Sequence, residues 1–152
     1  MRTVAHHWPG CRAWELTLRN APRILLVDDE YEIQSFFAQI LLNEGYCVTA
    51  VGTARHALAA VRNGEFELVV LDLSLPDSDG LELTRQIRDE IPHLQILAIS
   101  GFMVGDMPRE AFDAGANATL PKPTTSFALC RSISAMLALA DSDGGRFKVA
   151  CA

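Results

Sequence analysis

Short apolar runs alternate with amphipathic segments along most of this chain, and this alternation constrains the fold more than any other feature of the sequence. The apolar runs RILLVDD, YCVTAV, FELVVLD, LQILAIS and ATLPKP are each followed by a stretch in which apolar residues recur at helical spacing. Continuous apolar runs are typical of strands that are covered on both faces, as in parallel sheets. The sequence therefore predicts an α/β fold: a doubly wound, five-stranded parallel sheet with helices on both faces and right-handed crossovers.

The predicted helices carry recognisable start and stop signals. Thr53 is a suitable N-cap for the second helix, and Pro108 is tolerated in the first turn of the fourth. Gly45 and Pro92 follow the expected ends of the first and third helices. In the first helix we expect one apolar stripe to contain Ile33, Phe36, Phe37, Ile40 and Leu41.

Length and composition fit one globular domain. The chain has 152 residues, of which 49% are hydrophobic and 21% are charged. This is enough apolar material for a single core and too short a chain for two comfortable domains. The regular pattern covers residues 22–140, which we assign to the domain, with residues 1–21 as an N-terminal extension and 141–152 as a C-terminal tail.

Charge and cysteine usage argue against several classes of function. The formal net charge of -6 disfavours direct binding of nucleic acid, whose phosphates repel an acidic protein. No apolar run is long enough to cross a bilayer, so we expect no membrane span. The four cysteines form no CxxC pair, which favours a reducing compartment and predicts a cytoplasmic protein.

Reactive side chains recur where the predicted strands end. The first strand leads into Asp28 and Asp29, and the third ends in Asp72. The fourth strand ends in Ser100, and the fifth leads into Lys122. In a doubly wound sheet the carboxyl ends of the strands form the crevice in which ligands bind. Considered alone, Asp29 could be a helix N-cap, Ser100 a turn residue and Lys122 a solvated surface charge. Because all of them lie at the same edge of the predicted sheet, a functional site is the better interpretation.

The charges of this predicted site suit a metal and a phosphoryl group. Three neighbouring carboxylates repel one another and push their pKa values up, and a divalent cation would relieve this repulsion. Oxygen ligands with several retained waters suit Mg²⁺. Lys122 and Ser100 supply an ammonium and a hydroxyl that can contact phosphoryl oxygens. A carboxylate can attack phosphorus to form an acyl phosphate, and Asp72, on the central strand, is the expected acceptor.

Four motifs in this order, ILLVDDE, LVVLDLSLPDSDG, ILAISG and LPKP, resemble the receiver domain of bacterial two-component response regulators, the CheY-like superfamily. The resemblance covers residues 22–140. It implies a flavodoxin-like sheet of order 2-1-3-4-5. It also implies that a histidine kinase or a histidine phosphotransfer protein phosphorylates Asp72.

The resemblance assigns further roles residue by residue. It implies that Asp28, Asp29 and Asp72 bind Mg²⁺ together with the backbone carbonyl of Ser74. In receivers the hydroxyl residue and the lysine of these motifs contact the phosphate, and these roles carry over to Ser100 and Lys122.

Two positions depart from the family pattern. Receivers usually carry Tyr or Phe three residues before the lysine, as a switch that turns inward on activation, and here that position is Thr119. A β-branched hydroxyl residue cannot fill an aromatic pocket, so we do not expect a rotating ring to report phosphorylation here. An aromatic residue often follows the KP motif; here Thr124 does, and we expect Phe127 to fill that space.

This pattern leaves three functions to weigh. The first is a phosphorylated signalling receiver, which is no enzyme beyond its own phosphotransfer and slow dephosphorylation. The alternative is an unphosphorylated pseudo-receiver that acts as a protein-interaction module, which Thr119 favours. A phosphohydrolase would need a general acid two residues after its nucleophile, where this chain has Ser74. Since only a short tail follows residue 140, we expect output through a partner protein that the sequence does not identify.

The last helix is unusually apolar. We expect Phe127, Ile133 and Leu137 to face the sheet. The other apolar side chains of this helix then fall partly outside the stripe: Leu129, Met136 and Leu139. Either the N-terminal extension, with its two tryptophans, covers them, or they form a surface for a partner or for a homodimer.

Overall fold

The computed structural model describes residues 21–101 and 106–142. The predicted N-terminal extension and C-terminal tail lie almost entirely outside the described residues. The strands are β1 (Arg23–Val27), β2 (Cys47–Val51), β3 (Leu68–Asp72), β4 (Gln95–Ser100) and β5 (Ala118–Pro121). The helices are α1 (Tyr31–Asn43), α2 (Ala54–Asn63), α3 (Gly80–Glu90), α4 (Met107–Ala114) and α5 (Ser126–Ser142).

The five strands form one parallel sheet in the order β2-β1-β3-β4-β5. This confirms the predicted α/β fold and its flavodoxin-like strand order. Of the described helices, none combines the length and the apolar character that a membrane span requires.

The strand register brings the predicted site residues to one edge of the sheet. β1 and β3 are neighbours, so Asp28, directly after β1, lies beside Asp72 at the end of β3. β4 pairs with β5 so that Ser100 lies opposite Pro121, the residue before Lys122. Parallel strands thus deliver residues that are distant in sequence to the same crevice.

Successive strand residues face two separate cores, which explains why the strands are apolar throughout. Leu25 and Ile96 face the core beneath α2, α3 and α4. Ile24 and Leu97 face the core beneath α1 and α5. All four side chains are buried, and burying one such side chain contributes about 1.5–3 kcal/mol. Helices therefore cover both faces of the sheet, as predicted.

The apolar stripe predicted for α1 is only partly correct. Phe37 and Leu41 are buried against the sheet, but Phe36 is 57% exposed. Phe36 precedes Phe37 by one residue, which is a rotation of about 100° around the helix, and this rotation places Phe36 on the solvent side while Phe37 faces the sheet. The ring of Phe36 instead packs at a tilt on that of Phe37, with centroids 5.8 Å apart.

The stripe predicted for α5 is also wrong in part. The helix buries Leu129, Ile133 and Met136, which recur at intervals of four and three residues. Phe127 is 72% exposed, so it does not fill the space of the family's aromatic residue. The sequence misplaced the stripe because almost every position of this helix is apolar or small, which leaves several rotations with similar apolar faces.

Two of the predicted start signals function as expected. The hydroxyl of Thr53 accepts a hydrogen bond from the backbone N–H of His56 at 3.2 Å and caps α2. Pro108 lies in the first turn of α4, where its missing N–H costs nothing.

Candidate functional site

Two carboxylates lie buried at the carboxyl ends of the adjacent strands β1 and β3. Asp28 and Asp72 are each 3% exposed. The backbone holds both: Asp28 accepts a hydrogen bond from Glu30 N–H at 2.9 Å, and Asp72 accepts one from Ser74 N–H at 2.9 Å. These local bonds leave the second oxygen of each carboxylate, Oδ2, to face the crevice.

The ammonium of Lys122 connects the two buried acids. Its Nζ donates to Asp28 Oδ2 at 3.1 Å and to Asp72 Oδ2 at 2.8 Å, and it lies 3.3 Å from Glu30 Oε1. The Lys122 backbone is fixed as well, because its N–H donates to Ser100 O at 2.9 Å. One lysine therefore compensates charge that comes from two different strands.

Burial and pairing shift the pKa values of this group. Burial raises the pKa of Asp28 above 3.8, and the Glu30 N–H and the Lys122 ammonium offset this only in part. For Lys122, burial lowers the pKa, but the hydrogen bond and charge of Asp72 and those of Asp28 outweigh it and raise the pKa overall. The sequence attributed such a rise to mutual repulsion of the acids; for Asp28 the larger cause is burial.

Asp28, Asp29 and Asp72 form a cluster in which one carboxylate oxygen of each lies within 4.8 Å of the others. We call these residues the acidic cluster. Asp29 is exposed and contributes its oxygen from the solvent side. The donor set fits Mg²⁺, which prefers hard oxygen ligands and keeps several waters. With three acids against one lysine, the cluster also has charge left for a divalent cation to neutralise.

The other predicted residues lie around the acidic cluster. Ser74 is exposed and follows Asp72 by two residues, in the loop of residues 73–79 that joins β3 to α3, which we call the β3–α3 loop. Ser100 is 1% exposed and ends β4, next to the strand that leads to Lys122. Thr119 is half-buried in β5 and pairs with Ala98 of β4, and β4 separates it from β3, the strand that ends in Asp72.

Sequence reasoning missed two residues that support this site. Glu30 places a third carboxylate beside Lys122, and its position directly after the acidic pair was the available signal. Gln34, in the first turn of α1, donates through Nε2 to Asp28 O at 2.8 Å and to Val51 O at 2.9 Å. Gln34 thereby fixes the backbone that carries Asp28, a role that requires knowledge of the fold because Val51 ends another strand.

Gly80 lets the β3–α3 loop close tightly. A Cβ atom on Gly80 would lie 2.3 Å from Leu73 Cα and 2.5 Å from Leu73 O. The φ angle of Gly80 is not positive, so the backbone conformation here does not itself require glycine. Close approach of two backbone segments, rather than a special backbone angle, requires glycine here.

Apolar side chains remain exposed on the helices next to the site. Phe112 on α4 is 49% exposed, and Phe127 and Leu139 on α5 are 72% and 69% exposed. An open groove of about 580 Å³ runs between α1 and α5, where Phe127 lies near Ile40 and Cys130. This region carries apolar surface of the kind that marks contact sites.

Comparison with known proteins agrees with this geometry. Residues 24–134 match the family model of the response regulator receiver domain. The chain is 36% identical to Protein PetR of Rhodobacter capsulatus over 116 residues, and this aligned region covers 76% of the chain and 48% of PetR. It is 36% identical over 109 residues to the alginate biosynthesis transcriptional regulatory protein AlgB of Pseudomonas aeruginosa, covering 72% of the chain and 24% of AlgB. The chain thus spans half or less of the length of these curated relatives.

Solved structures give the same answer. A CheY-like response regulator receiver domain protein from Methanospirillum hungatei superposes with a TM-score of 0.79 at 32% identity, covering 82% of this chain and 99% of that one. NtrX from Brucella abortus superposes with a TM-score of 0.74 at 32% identity, covering 80% of this chain and 28% of NtrX. With the family model, the fold and the relatives in agreement, this chain belongs to the response regulator receiver domain family.

Proposed function

We propose that this receiver is a phosphoacceptor in two-component or phosphorelay signalling, and that Asp72 takes a phosphoryl group from a histidine kinase or a histidine phosphotransfer protein. One observation carries the proposal most directly. A buried carboxylate at the end of the central strand lies 2.8 Å from an ammonium and within 4.8 Å of two further carboxylates. Unlike a structural ion pair, this arrangement sets three carboxylates against one ammonium and therefore keeps a net negative charge that a divalent cation would neutralise.

The chemistry follows from the positions of these groups. A carboxylate oxygen of Asp72 attacks phosphorus, the bond between phosphorus and the donor's imidazole nitrogen breaks, and the product is an acyl phosphate and a free histidine. Asp72 is preorganised for this attack, because Ser74 N–H and Lys122 hold its two oxygens. Lys122 reduces the repulsion between the carboxylate and the incoming phosphoryl oxygens.

We propose Mg²⁺ as the cofactor, held by Asp28, Asp29, Asp72 and the backbone carbonyl of Ser74. When bound, the ion would neutralise charge that develops on the phosphoryl oxygens. The burial of Asp28 matters here, because ion–carboxylate attraction is stronger where little water competes.

The phosphorylated state would be recognised by Lys122 and Ser100. A phosphoryl group on Asp72 adds oxygens that the ammonium of Lys122 and the hydroxyl of Ser100 can contact by charge-assisted hydrogen bonds. Movement of Ser100 would pass to the end of β4 and to β5, since the two strands pair there. With Thr119 in place of an aromatic residue, we propose that the change travels through the backbone of β4 and β5.

We propose that the output passes to a partner protein through α4 and α5. Both helices follow strands that end at Ser100 or next to Lys122, and both carry exposed apolar side chains. The same surface suits a homodimer. The net negative charge supports a protein partner rather than nucleic acid. The cysteine pattern supports a cytoplasmic location for the chain.

Phosphorylation of the intact chain by acetyl phosphate with Mg²⁺ tests the proposal. Intact mass should show one added phosphoryl group, and Asp72→Asn should abolish it. Asp113→Asn is the matched control, because Asp113 is an exposed carboxylate on α4 that does not belong to the acidic cluster. Labelling of Asp72→Asn equal to that of the wild type would overturn the assignment.

The labelling experiment and an assay for phosphomonoester hydrolysis together separate the alternatives. A wild-type chain that stays unlabelled would favour a pseudo-receiver that acts as an interaction module, the function that Thr119 favours. Turnover of a phosphomonoester would indicate a phosphohydrolase, although Ser74 offers no general acid at the position such an enzyme uses. We propose that catalysis is limited to the chain's own phosphotransfer and slow dephosphorylation.

A further inference from the structure

We propose that Asp77 is a positioning residue that ties the β3–α3 loop to the start of α2 and thereby sets the spacing of the acidic cluster. The inference rests on the proposed function and extends it to a residue that belongs neither to the metal ligands nor to the phosphate contacts. Asp77 touches none of the reacting groups, so its effect would be exerted through the loop that carries Ser74.

Asp77 caps a helix that is remote from it in sequence. Its Oδ1 accepts a hydrogen bond from Ala54 N–H at 2.8 Å, and its Oδ2 accepts one from Arg55 N–H at 3.1 Å. Both donors belong to the first turn of α2, where N–H groups have no partner within the helix and the helix dipole attracts negative charge. These two bonds favour the ionised carboxylate and therefore lower the pKa of Asp77.

The strand order shows what this contact spans. α2 follows β2, the β3–α3 loop follows β3, and β1 lies between the two strands. The contact therefore joins the two segments that flank the end of β1, where Asp28 and Asp29 lie. On the β2 side the chain is close to these acids, since a Cβ atom on Gly52 would lie 3.8 Å from Asp28 O and 3.9 Å from Asp29 Cα.

Other hydrogen bonds anchor the loop on its opposite side. Leu73 N–H donates to Ile99 O of β4 at 2.9 Å. Asp79 caps α3 by accepting from Leu81 N–H at 2.9 Å, and it forms a β-bridge with Ser74. These contacts hold the loop to β4 and α3, and Asp77 holds it to the β2 side. Without Asp77 we expect the loop to shift away from α2 and to carry Ser74 with it.

Such a shift would matter to a metal more than to the fold. Mg²⁺ demands near-octahedral geometry with short ligand distances, so small displacements of a ligand weaken binding. The two cores contain no part of the Asp77 side chain, which is exposed. Loss of Asp77 should therefore weaken Mg²⁺ binding more than its effect on stability explains.

Thr53 offers a matched control for this idea. Its hydroxyl also caps α2, by accepting a hydrogen bond from His56 N–H at 3.2 Å. Because Thr53 directly precedes α2, this bond is local and does not connect the helix to the β3–α3 loop. Thr53→Ala and Asp77→Ala thus both remove a cap from the same helix. Only Asp77→Ala also releases the loop.

The test is isothermal titration calorimetry of the intact chain with Mg²⁺, with thermal denaturation of the metal-free protein in parallel. We expect Asp77→Ala to weaken Mg²⁺ binding about tenfold, in the range seen when outer-shell partners of metal ligands are removed. We expect Thr53→Ala to leave the affinity unchanged while lowering the melting temperature. Asp77→Asn, which keeps one acceptor oxygen, should give an intermediate affinity.

Two outcomes would overturn the role of Asp77 and leave the proposed function intact: equal affinities for Asp77→Ala and Thr53→Ala, or a wild-type affinity for Asp77→Asn. The measurement on Asp77→Asn keeps the test decisive if Asp77→Ala fails to fold. A wild-type chain that binds no Mg²⁺ would instead overturn the proposed function, and the role of Asp77 with it.

Discussion

Lys122 Nζ lies 2.8 Å from Asp72 Oδ2, although the two residues are 50 positions apart in sequence. The parallel sheet produces this contact, because β3 and β5 both direct their carboxyl ends to one edge and β4 lies between them. The lysine also contacts Asp28, from a third strand end. A single cation thus links groups whose charges would otherwise oppose folding.

Replacing Lys122 by Met should destabilise the metal-free protein. The change leaves Asp28 and Asp72 buried without their cation, and breaking a buried pair by removing one partner costs about 3 kcal/mol or more. Mg²⁺ should restore much of this loss, because it supplies positive charge to the same carboxylates. Urea unfolding with and without Mg²⁺ measures both effects.

Arg109→Met is the control for this substitution. Arg109 forms an exposed ion pair with Asp113 at 4.0 Å, and exposed pairs of this kind contribute about 0–1 kcal/mol. Equal losses for the two variants would contradict the interpretation of Lys122 as the counter-charge of the acidic cluster.

Gln34→Leu should destabilise the protein by about 1–3 kcal/mol, since it removes two hydrogen bonds and leaves partly buried carbonyl groups without this donor. It should also weaken Mg²⁺ binding, because Asp28 loses the amide that fixes its backbone. Gln39→Leu on the same helix is the control, because Gln39 is exposed and bonds only to the nearby Asn43 side chain in the described structure. A Gln34 variant as stable as the Gln39 variant would show that this amide is dispensable.

The sequence predicted the sheet well because its signals are local. Each strand is a continuous apolar run, and each reactive residue stands at the end of one, so knowing that the strands are parallel was enough to gather Asp28, Asp72, Ser100 and Lys122. What it could not predict depends on contacts between elements. Gln34 and Asp77 form hydrogen bonds with backbone groups of segments that are distant in sequence and become their neighbours only in the folded chain. A local residue pattern cannot predict such a partner.

The buried faces of α1 and α5 were predicted less well than the strands, because they too depend on contacts between elements. A rotation of one residue separates buried Phe37 from exposed Phe36, and both are equally apolar in sequence. In α5 the face was ambiguous because Phe127 and Leu129 both belong to plausible stripes, and the sheet selected Leu129. Periodicity gives the presence of a helix more reliably than its rotation about its own axis.

Gly80→Ala should be strongly destabilising, by about 1–3 kcal/mol, because a Cβ atom at this position would overlap the Leu73 backbone and force the β3–α3 loop open. Gly101→Ala is the control, since a Cβ there meets no described atom within 4 Å. Urea unfolding monitored by circular dichroism measures the two losses. Comparable losses would mean that the closeness of Gly80 to Leu73 is not what requires glycine.

The cap that Asp77 provides should make stability depend on pH in a defined direction. Backbone N–H bonds from Ala54 and Arg55 lower the pKa of Asp77 below 3.8, its ordinary value. A carboxylate whose pKa is depressed by folding contributes stability above the unfolded pKa and loses it as the pH falls through the folded pKa. The wild type should therefore exceed Asp77→Ala in stability at neutral pH, and this difference should shrink once the pH drops below 3.8 and approaches the lowered pKa.

Urea unfolding of both proteins across this pH range measures the difference. Asp113→Ala serves as the reference, because Asp113 is an exposed carboxylate whose contact in the described structure is a weak ion pair with Arg109 at 4.0 Å. Its stability difference from the wild type should be small at every pH. If the difference for Asp77→Ala stayed constant down to the lowest pH, the charge of Asp77 would not be what stabilises the start of α2, and a neutral acceptor would serve as well. Asp77→Asn distinguishes these cases directly, since it should match the wild type only where the wild-type carboxyl is protonated.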